Sequence, residues 1–163
     1  MSTLSYIGLG SNLGDREALL DFAVAALAST AGIVVQTVSS YFETAPIGGP
    51  SGQGPFLNAA AALETTLDPD ALLNILHSIE AQAGRVRSVR WGERTLDLDV
   101  LLFGDQVINT PRLQVPHPRM TIRRFVLQPL AEIAPSVIVP TTGLTSAELL
   151  ANIDRQCGGS SRR

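Results

Sequence analysis

The run Arg90-Trp91-Gly92-Glu93-Arg94-Thr95-Leu96-Asp97-Leu98-Asp99-Val100-Leu101-Leu102-Phe103 limits what this chain can become more than any other stretch. Its first half is polar and rich in arginine. Its second half alternates. Leu96, Leu98, Val100 and Leu102 share one parity, and Asp97, Asp99, Leu101 and Phe103 share the other. A period of two is that of a β-strand, whose successive side chains face opposite sides of a sheet. Asp97 and Asp99 then share a face, with Cα atoms roughly 7 Å apart. Aspartate is depleted in strands, so two in one strand need a reason beyond a solvated edge. Two carboxylates so spaced offer oxygens to a hard cation. Mg²⁺ favours such partial cages, with waters and substrate phosphates completing the octahedron. The upstream arginines add the planar fork that binds phosphate oxygens.

The rest of the chain supplies a setting for that strand. A strand is expected over 4–9, then Gly8, Gly10 and Gly14 as a tight connection, with Asp15 capping a helix over 16–30. Gly32 ends that helix, and a β-branched strand follows over 33–43. Residues 44–55 hold three prolines and four glycines and read as a long functional loop. Strand character returns over 56–66, with Phe56, Asn58, Ala60 and Ala62 on one face. Asp68-Pro69 starts a second helix, carrying Leu72, Leu73, Leu76 and Ile79, which Gly84 closes. A second long loop over 84–94 leads into the Asp-x-Asp strand. Gly104-Asp105 reads as a hairpin turn returning the chain through 106–109. Beyond an irregular 111–118 lie a helix over 123–133, interrupted or shortened by Pro129, an extended piece at 137–139 and a last helix over 145–153. The order strand, helix, strand, strand, helix, strand predicts an α+β fold: a ferredoxin-like βαββαβ core, an antiparallel sheet with helices, plus C-terminal additions. One domain over 1–155 is expected, with 156–163 a disordered tail.

Charge and cysteine content narrow the function. Net charge is −3, and of the twelve basic residues, all arginine, eight cluster at 85–94 and 112–124. An acidic balance argues against a general nucleic-acid binder. The single cysteine, Cys157, fits a reducing compartment. With no leader-like or membrane-spanning run, a cytoplasmic location is expected. Gly8-Leu9-Gly10-Ser11-Asn12-Leu13-Gly14 misses the dinucleotide fingerprint by one residue, and no Gly-Lys-Ser/Thr follows to make a Walker A loop. ATP, if bound, must be held by side chains and metal. No His/Cys set has zinc spacing. His77 reads as helix surface. His117, between Pro116 and Pro118, lies near Arg112, Arg119 and Arg123 in sequence and has phosphate or ribose within its repertoire. Phe56, Trp91 and Phe125 stand at loop edges, where a ring can stack a flat heterocycle, and the Asn58 amide can read that heterocycle's edge.

These residues carry a resemblance. Arg90-Trp91-Gly92-Glu93-Arg94-Thr95-Leu96-Asp97-Leu98-Asp99-Val100-Leu101 resembles the signature of the 6-hydroxymethyl-7,8-dihydropterin pyrophosphokinases of folate biosynthesis. Tyr6 to Gly14, Phe56-Leu57-Asn58-Ala59, Gly84-Arg85-Val86-Arg87 and Val115-Pro116-His117-Pro118 resemble further segments of that family in the same order. The resemblance implies transfer of pyrophosphate from ATP to the pterin hydroxymethyl group, giving AMP. It implies catalytic roles for Arg85, Arg94, Asp97 and Asp99, with Asp97 and Asp99 holding two Mg²⁺ ions. It implies a pterin site of Thr44, Pro46, Ile47, Gly48, Phe56, Asn58 and Phe125. It implies an ATP site of Leu73, Arg87, Trp91, Val100, Arg112, His117 and Arg123. Phe56 stands where tyrosine is common in the family, which keeps stacking and loses a hydroxyl contact. The implied partners are the two small-molecule substrates, ATP and the pterin, acting on a monomer without nucleic acid or membrane. The rival reading is a non-catalytic ferredoxin-like module that binds nucleotide or pterin without releasing AMP.

Overall fold

The structure, a computed structural model, describes residues 2–12, 15–44, 56–87 and 96–161, with side chains at 85–87 and 157–161 left aside. The elements are β1 (Thr3–Ser11), α1 (Arg16–Ala28), β2 (Ile33–Val38), β3 (Phe42–Thr44), β4 (Phe56–Thr65), α2 (Pro69–Arg87) and β5 (Asp97–Phe103). They continue with β6 (Ile108–Asn109), β7 (Gln114–Val115), a 3₁₀ turn (Met120–Ile122), α3 (Arg124–Ile133), β8 (Ile138–Val139), β9 (Leu144–Thr145) and α4 (Ser146–Ser161). Both predicted caps form. The Ala18 N–H donates to Asp15 Oδ1 at 3.1 Å, and the Ala71 N–H donates to Asp68 Oδ1 at 2.7 Å.

The main sheet has the order β2-β4-β1-β5, every pair antiparallel, with β3 also pairing β4. Alternation divides its side chains between two cores. Ile7, Leu9, Ala59, Ala61, Leu63, Leu98 and Val100 pack with Leu20, Leu27, Leu72 and Leu76 of α1 and α2. Tyr6, Ala60, Ala62 and Leu101 pack with Met120, Leu127 and Leu130 beneath α3, joined by Leu149 of α4. The alanines of β4 give both helical layers close approach to the sheet.

Several expectations are corrected. Leu102 does not stay with Leu98 and Val100. The register passes from Tyr6↔Leu102 to Ile7↔Val100, so Leu101 is the extra residue of a β-bulge. Past it the parity reverses, which sends Leu102 to the α3 side and Phe103 to the α1/α2 side. The strand expected over 33–43 is two strands. Ser39 replaces the ladder at the break: its N–H donates to the Ala60 carbonyl at 2.8 Å, and its hydroxyl accepts the Ala60 N–H at 2.9 Å. Gly84 does not end α2. A glycine can stay helical at a cost of about 1 kcal/mol relative to alanine, and the helix runs on through Arg87. Gly104 turns with φ +56°, yet β6 pairs with β7 instead of β5. Pro129 sits inside α3 without ending it, and α4 runs to Ser161, through most of the segment expected to be disordered. Adding residues to a nucleated helix costs far less than starting one, so the turn carrying Leu149 and Leu150 propagates.

Ser39 gives a stability prediction. It is buried, and Ala60, which it satisfies, is 1% exposed. Ser39→Ala leaves a buried N–H without its acceptor, at an expected cost of about 1–3 kcal/mol. Urea unfolding should show the midpoint falling with the slope unchanged. An unchanged midpoint would mean that the Ala60 N–H finds another acceptor.

Candidate active site

At one end of the α3 face the sheet opens into a cavity of about 210 Å³. The strand register explains its floor. Gly10 of β1 stands between Asn58 of β4 and Asp97 of β5, and Gly8 stands next to Asp99. Facing positions on neighbouring strands are about 5 Å apart, so these side chains form two rows across the sheet with glycine in the middle of each. Gly8 and Gly10 therefore do not make the strand-to-helix connection expected of them. β1 continues to Ser11, and the glycines leave the cavity floor bare. A Cβ on Gly10 would stand 3.1 Å from Asn58 Oδ1, and one on Gly8 would stand 3.3 Å from Leu101 Cδ2.

The walls come from other elements. Phe56 starts β4, and Phe125 and Val126 begin α3; all three line the cavity. Arg123, just before α3, places its guanidinium 5.6 Å from the centre of the Phe125 ring, a cation–π distance. Asn58 is buried, and its Nδ2 donates to the Thr44 hydroxyl at 2.9 Å, which directs the amide along the β3–β4 edge. His117 also lines the cavity. Its backbone N–H donates to the Leu101 carbonyl at 3.0 Å, and its Nδ1 accepts the Arg119 N–H at 3.2 Å. Neutral His117 accordingly carries its proton on Nε2, as a donor. Burial lowers the His117 pKa, with Asp99 opposing that and Arg123 and Arg119 reinforcing it.

The expected site residues divide into groups. Phe56, Asn58, Asp97, Asp99, His117, Arg123 and Phe125 meet around this cavity, with Thr44 behind Asn58. Leu73 and Val100 do not. Both are buried in the core beneath α1 and α2, because Val100 has the opposite parity to Asp99, and Leu73 lies on the packed stripe of α2. Arg112 is exposed beside α2, where it donates to Asn74 Oδ1 at 2.6 Å and lies 3.8 Å from Asp70. Arg85 and Arg87 are on the last turn and a half of α2 by backbone position. Their side chains, with Pro46, Ile47, Gly48, Trp91 and Arg94, lie outside the described residues. Sequence reasoning missed Gly8, Gly10 and Val126 as lining residues. Two glycines at i and i+2 within a strand, facing an Asp-x-Asp strand, were the available signal for the first two.

The metal expectation fits the donors present. Asp97 and Asp99 are hard oxygen donors on one wall of the cavity, and no group of three or more His, Cys, Asp or Glu gathers among the described residues. Two carboxylates of this kind suit a cation that keeps waters and binds substrate phosphates.

The family model described as 7,8-dihydro-6-hydroxymethylpterin-pyrophosphokinase (HPPK) matches residues 6–135. A 2-amino-4-hydroxy-6-hydroxymethyldihydropteridine pyrophosphokinase of Bacillus subtilis is 52% identical over 137 residues, covering 84% of this chain and 81% of that one. Its counterpart in Methylorubrum extorquens is 47% identical over 152 residues, covering 93% and 94%. Among solved structures, wild-type Plasmodium falciparum HPPK-DHPS with pteroate superposes with a TM-score of 0.79 at 14% identity. It matches all of this chain, which spans 44% of that longer protein, and at that identity the likeness shows the fold alone. Together, the family match and the close relatives show that the chain belongs to the 7,8-dihydro-6-hydroxymethylpterin-pyrophosphokinase family.

Proposed function

We propose that this enzyme transfers pyrophosphate from ATP to the hydroxymethyl group of 6-hydroxymethyl-7,8-dihydropterin in folate biosynthesis. The hydroxymethyl oxygen attacks the β-phosphorus, its proton leaves, the bond to the α-phosphate oxygen breaks, and AMP departs. The observation that carries this reading is the convergence on one cavity of an aromatic pair, Phe56 and Phe125, with a carboxylate pair, Asp97 and Asp99. The first suits a flat heterocycle, and the second suits cation-bound phosphates.

In this reading Phe56 and Phe125 hold the pterin between β4 and α3, and Asn58, held by Thr44, reads its edge. Pro46, Ile47 and Gly48 complete that side. Asp97 and Asp99 hold Mg²⁺, expected as two ions, which supply charge neutralisation on the triphosphate. His117 and Arg123, with Arg87, Trp91 and Arg112, hold the nucleotide. Arg85 and Arg94 balance charge that develops during transfer. Leu73 and Val100 support the nucleotide side only from the core beneath it. Catalysis is mainly positioning and electrostatic stabilisation, with water kept from competing for the phosphorus.

The strand order and the all-antiparallel pairing support a ferredoxin-like βαββαβ core, organised as one pyrophosphokinase domain over 1–155. No helix among the described residues is long and apolar enough to cross a membrane. The single cysteine fits the proposed reducing, cytoplasmic setting, in which the enzyme is proposed to act as a monomer.

AMP release from ATP and Mg²⁺, with and without the pterin, tests the reading. AMP is expected only when both substrates are present. Binding of both ligands without AMP would turn the chain into the non-catalytic module, and no response to either would remove the proposed substrates.

A further inference from the structure

The C-terminal end of α3 makes a polar contact that the reaction as described does not use. Glu132 takes both donors of Ser40: the Ser40 N–H reaches Oε1 at 2.5 Å, and the Ser40 hydroxyl reaches Oε2 at 3.0 Å. Ser40 lies in the break between β2 and β3. There Ser39 has taken both backbone groups of Ala60, so the Ser40 N–H is turned out of the β4 ladder and needs another acceptor. The carboxylate of Glu132 supplies one and bridges 92 residues of sequence.

Both ends of this bridge lead to the same cavity. Seven residues back along α3 from Glu132, about 10 Å at 1.5 Å per residue, stands Phe125 on the cavity wall. Four residues on from Ser40 stands Thr44, whose hydroxyl holds Asn58. The Phe56–Phe125 gap and the Asn58 edge thus depend on where α3 lies along β3 and β4. Leu127 and Leu130 press α3 onto the sheet, but apolar contacts are non-directional and set its slide along the strands weakly. A bidentate charged contact has a defined geometry and sets it better.

We infer that Glu132 is a positioning residue for the heterocycle, fixing α3 against the β2–β3 break through Ser40 and so setting the slot between Phe125 and the β3–β4 edge. This rests on the pterin site proposed above. Its loss should be felt by the pterin more than by the nucleotide, because the nucleotide side keeps Asp97 and Asp99 on β5 and His117 ahead of the 3₁₀ turn, and only Arg123, the cap of α3, moves with the helix.

The test uses the full chain with Glu132→Ala, Glu132→Gln and Ser40→Ala. Dissociation constants are measured for the pterin, with a non-hydrolysable ATP analogue and Mg²⁺ present, and for the analogue alone, together with KM, kcat and the urea midpoint. A hydrogen bond to an ionised group suggests that Glu132→Ala raises the pterin Kd and KM about fivefold. Analogue affinity and kcat should stay within about twofold of the parent. Glu132→Gln keeps an oxygen for the Ser40 N–H and should recover most of the loss. Ser40→Ala removes only the hydroxyl arm and should raise the pterin KM by about twofold. It also keeps the inference testable if Glu132→Ala fails to fold. Unchanged pterin affinity in Glu132→Ala, or in Ser40→Ala where that variant stands alone, would overturn the inference. So would an equal loss for both ligands. A parent protein that binds no pterin would instead strike at the proposed substrate.

Discussion

Asp97→Ala and Asp99→Ala are each expected to lower kcat/KM by about 10³-fold or more, on the scale of removing a metal-held charge from a phosphoryl-transfer site. The same variants should unfold within about 1 kcal/mol of the parent. The separation follows from where the residues sit. Asp97 is half-buried and Asp99 is exposed, and both face the cavity, whereas their neighbours Leu98 and Val100 face the packed core. Truncating either carboxylate therefore opens no hole beneath α1 and α2. Mg²⁺-dependent binding of an ATP analogue, followed by calorimetry, separates metal loss from loss of the fold. Near-parent turnover in Asp97→Ala would mean that the cation is held elsewhere and that the aspartate pair is a solvated strand face after all.

The path of the chain was largely legible because its elements state their own periods. Asp15 and Asp68 announce helices whose caps form as expected, and the antiparallel sheet follows from the strand and helix order. What stayed hidden depends on contacts distant in sequence. Nothing local marks Leu101 as a bulge, because the reversal of parity at Leu102 and Phe103 comes from pairing with β1. Nothing in 33–43 shows that Ser39 will substitute its hydroxyl for a ladder acceptor on β4. Gly84 looks like a stop from its propensity alone, but α2 passes through it.

The site shows the same division between chemistry and placement. Residue type was enough to pick out Asp97, Asp99, Phe56, Asn58, His117, Arg123 and Phe125, and the fold brings them to one cavity. Type was not enough for Val100. Its alternation with the aspartates already put it on the other face, and the structure buries it there. Gly8 and Gly10 were misread because glycine usually signals a turn. Within a strand its other meaning is close approach by a ligand or backbone, and that is where the fold places them.

Gly10→Val is expected to weaken pterin binding by about 10- to 100-fold while leaving a folded protein. Valine is a better strand residue than glycine, so local propensity favours the change. Space opposes it. Gly10 lies between Asn58 and Asp97 in the floor, and its first added carbon would already stand 3.1 Å from Asn58 Oδ1. The two further methyls of valine extend into the cavity itself. Overpacking of this kind costs about 1–3 kcal/mol, and here most of that cost falls on the bound state, because the empty cavity has room for the methyls. Gly10→Ala should be milder, since a shift of a few tenths of an ångström in the Asn58 amide relieves its one tight contact, although that shift strains the Asn58–Thr44 hydrogen bond at 2.9 Å. Calorimetric titration of the two variants, with the urea midpoint measured alongside, should therefore rank pterin affinity as parent, alanine, valine without a matching order in stability. A valine variant that binds the pterin like the parent would show that the heterocycle does not lie over this floor, and the slot between Phe56 and Phe125 would have to be filled from the other side.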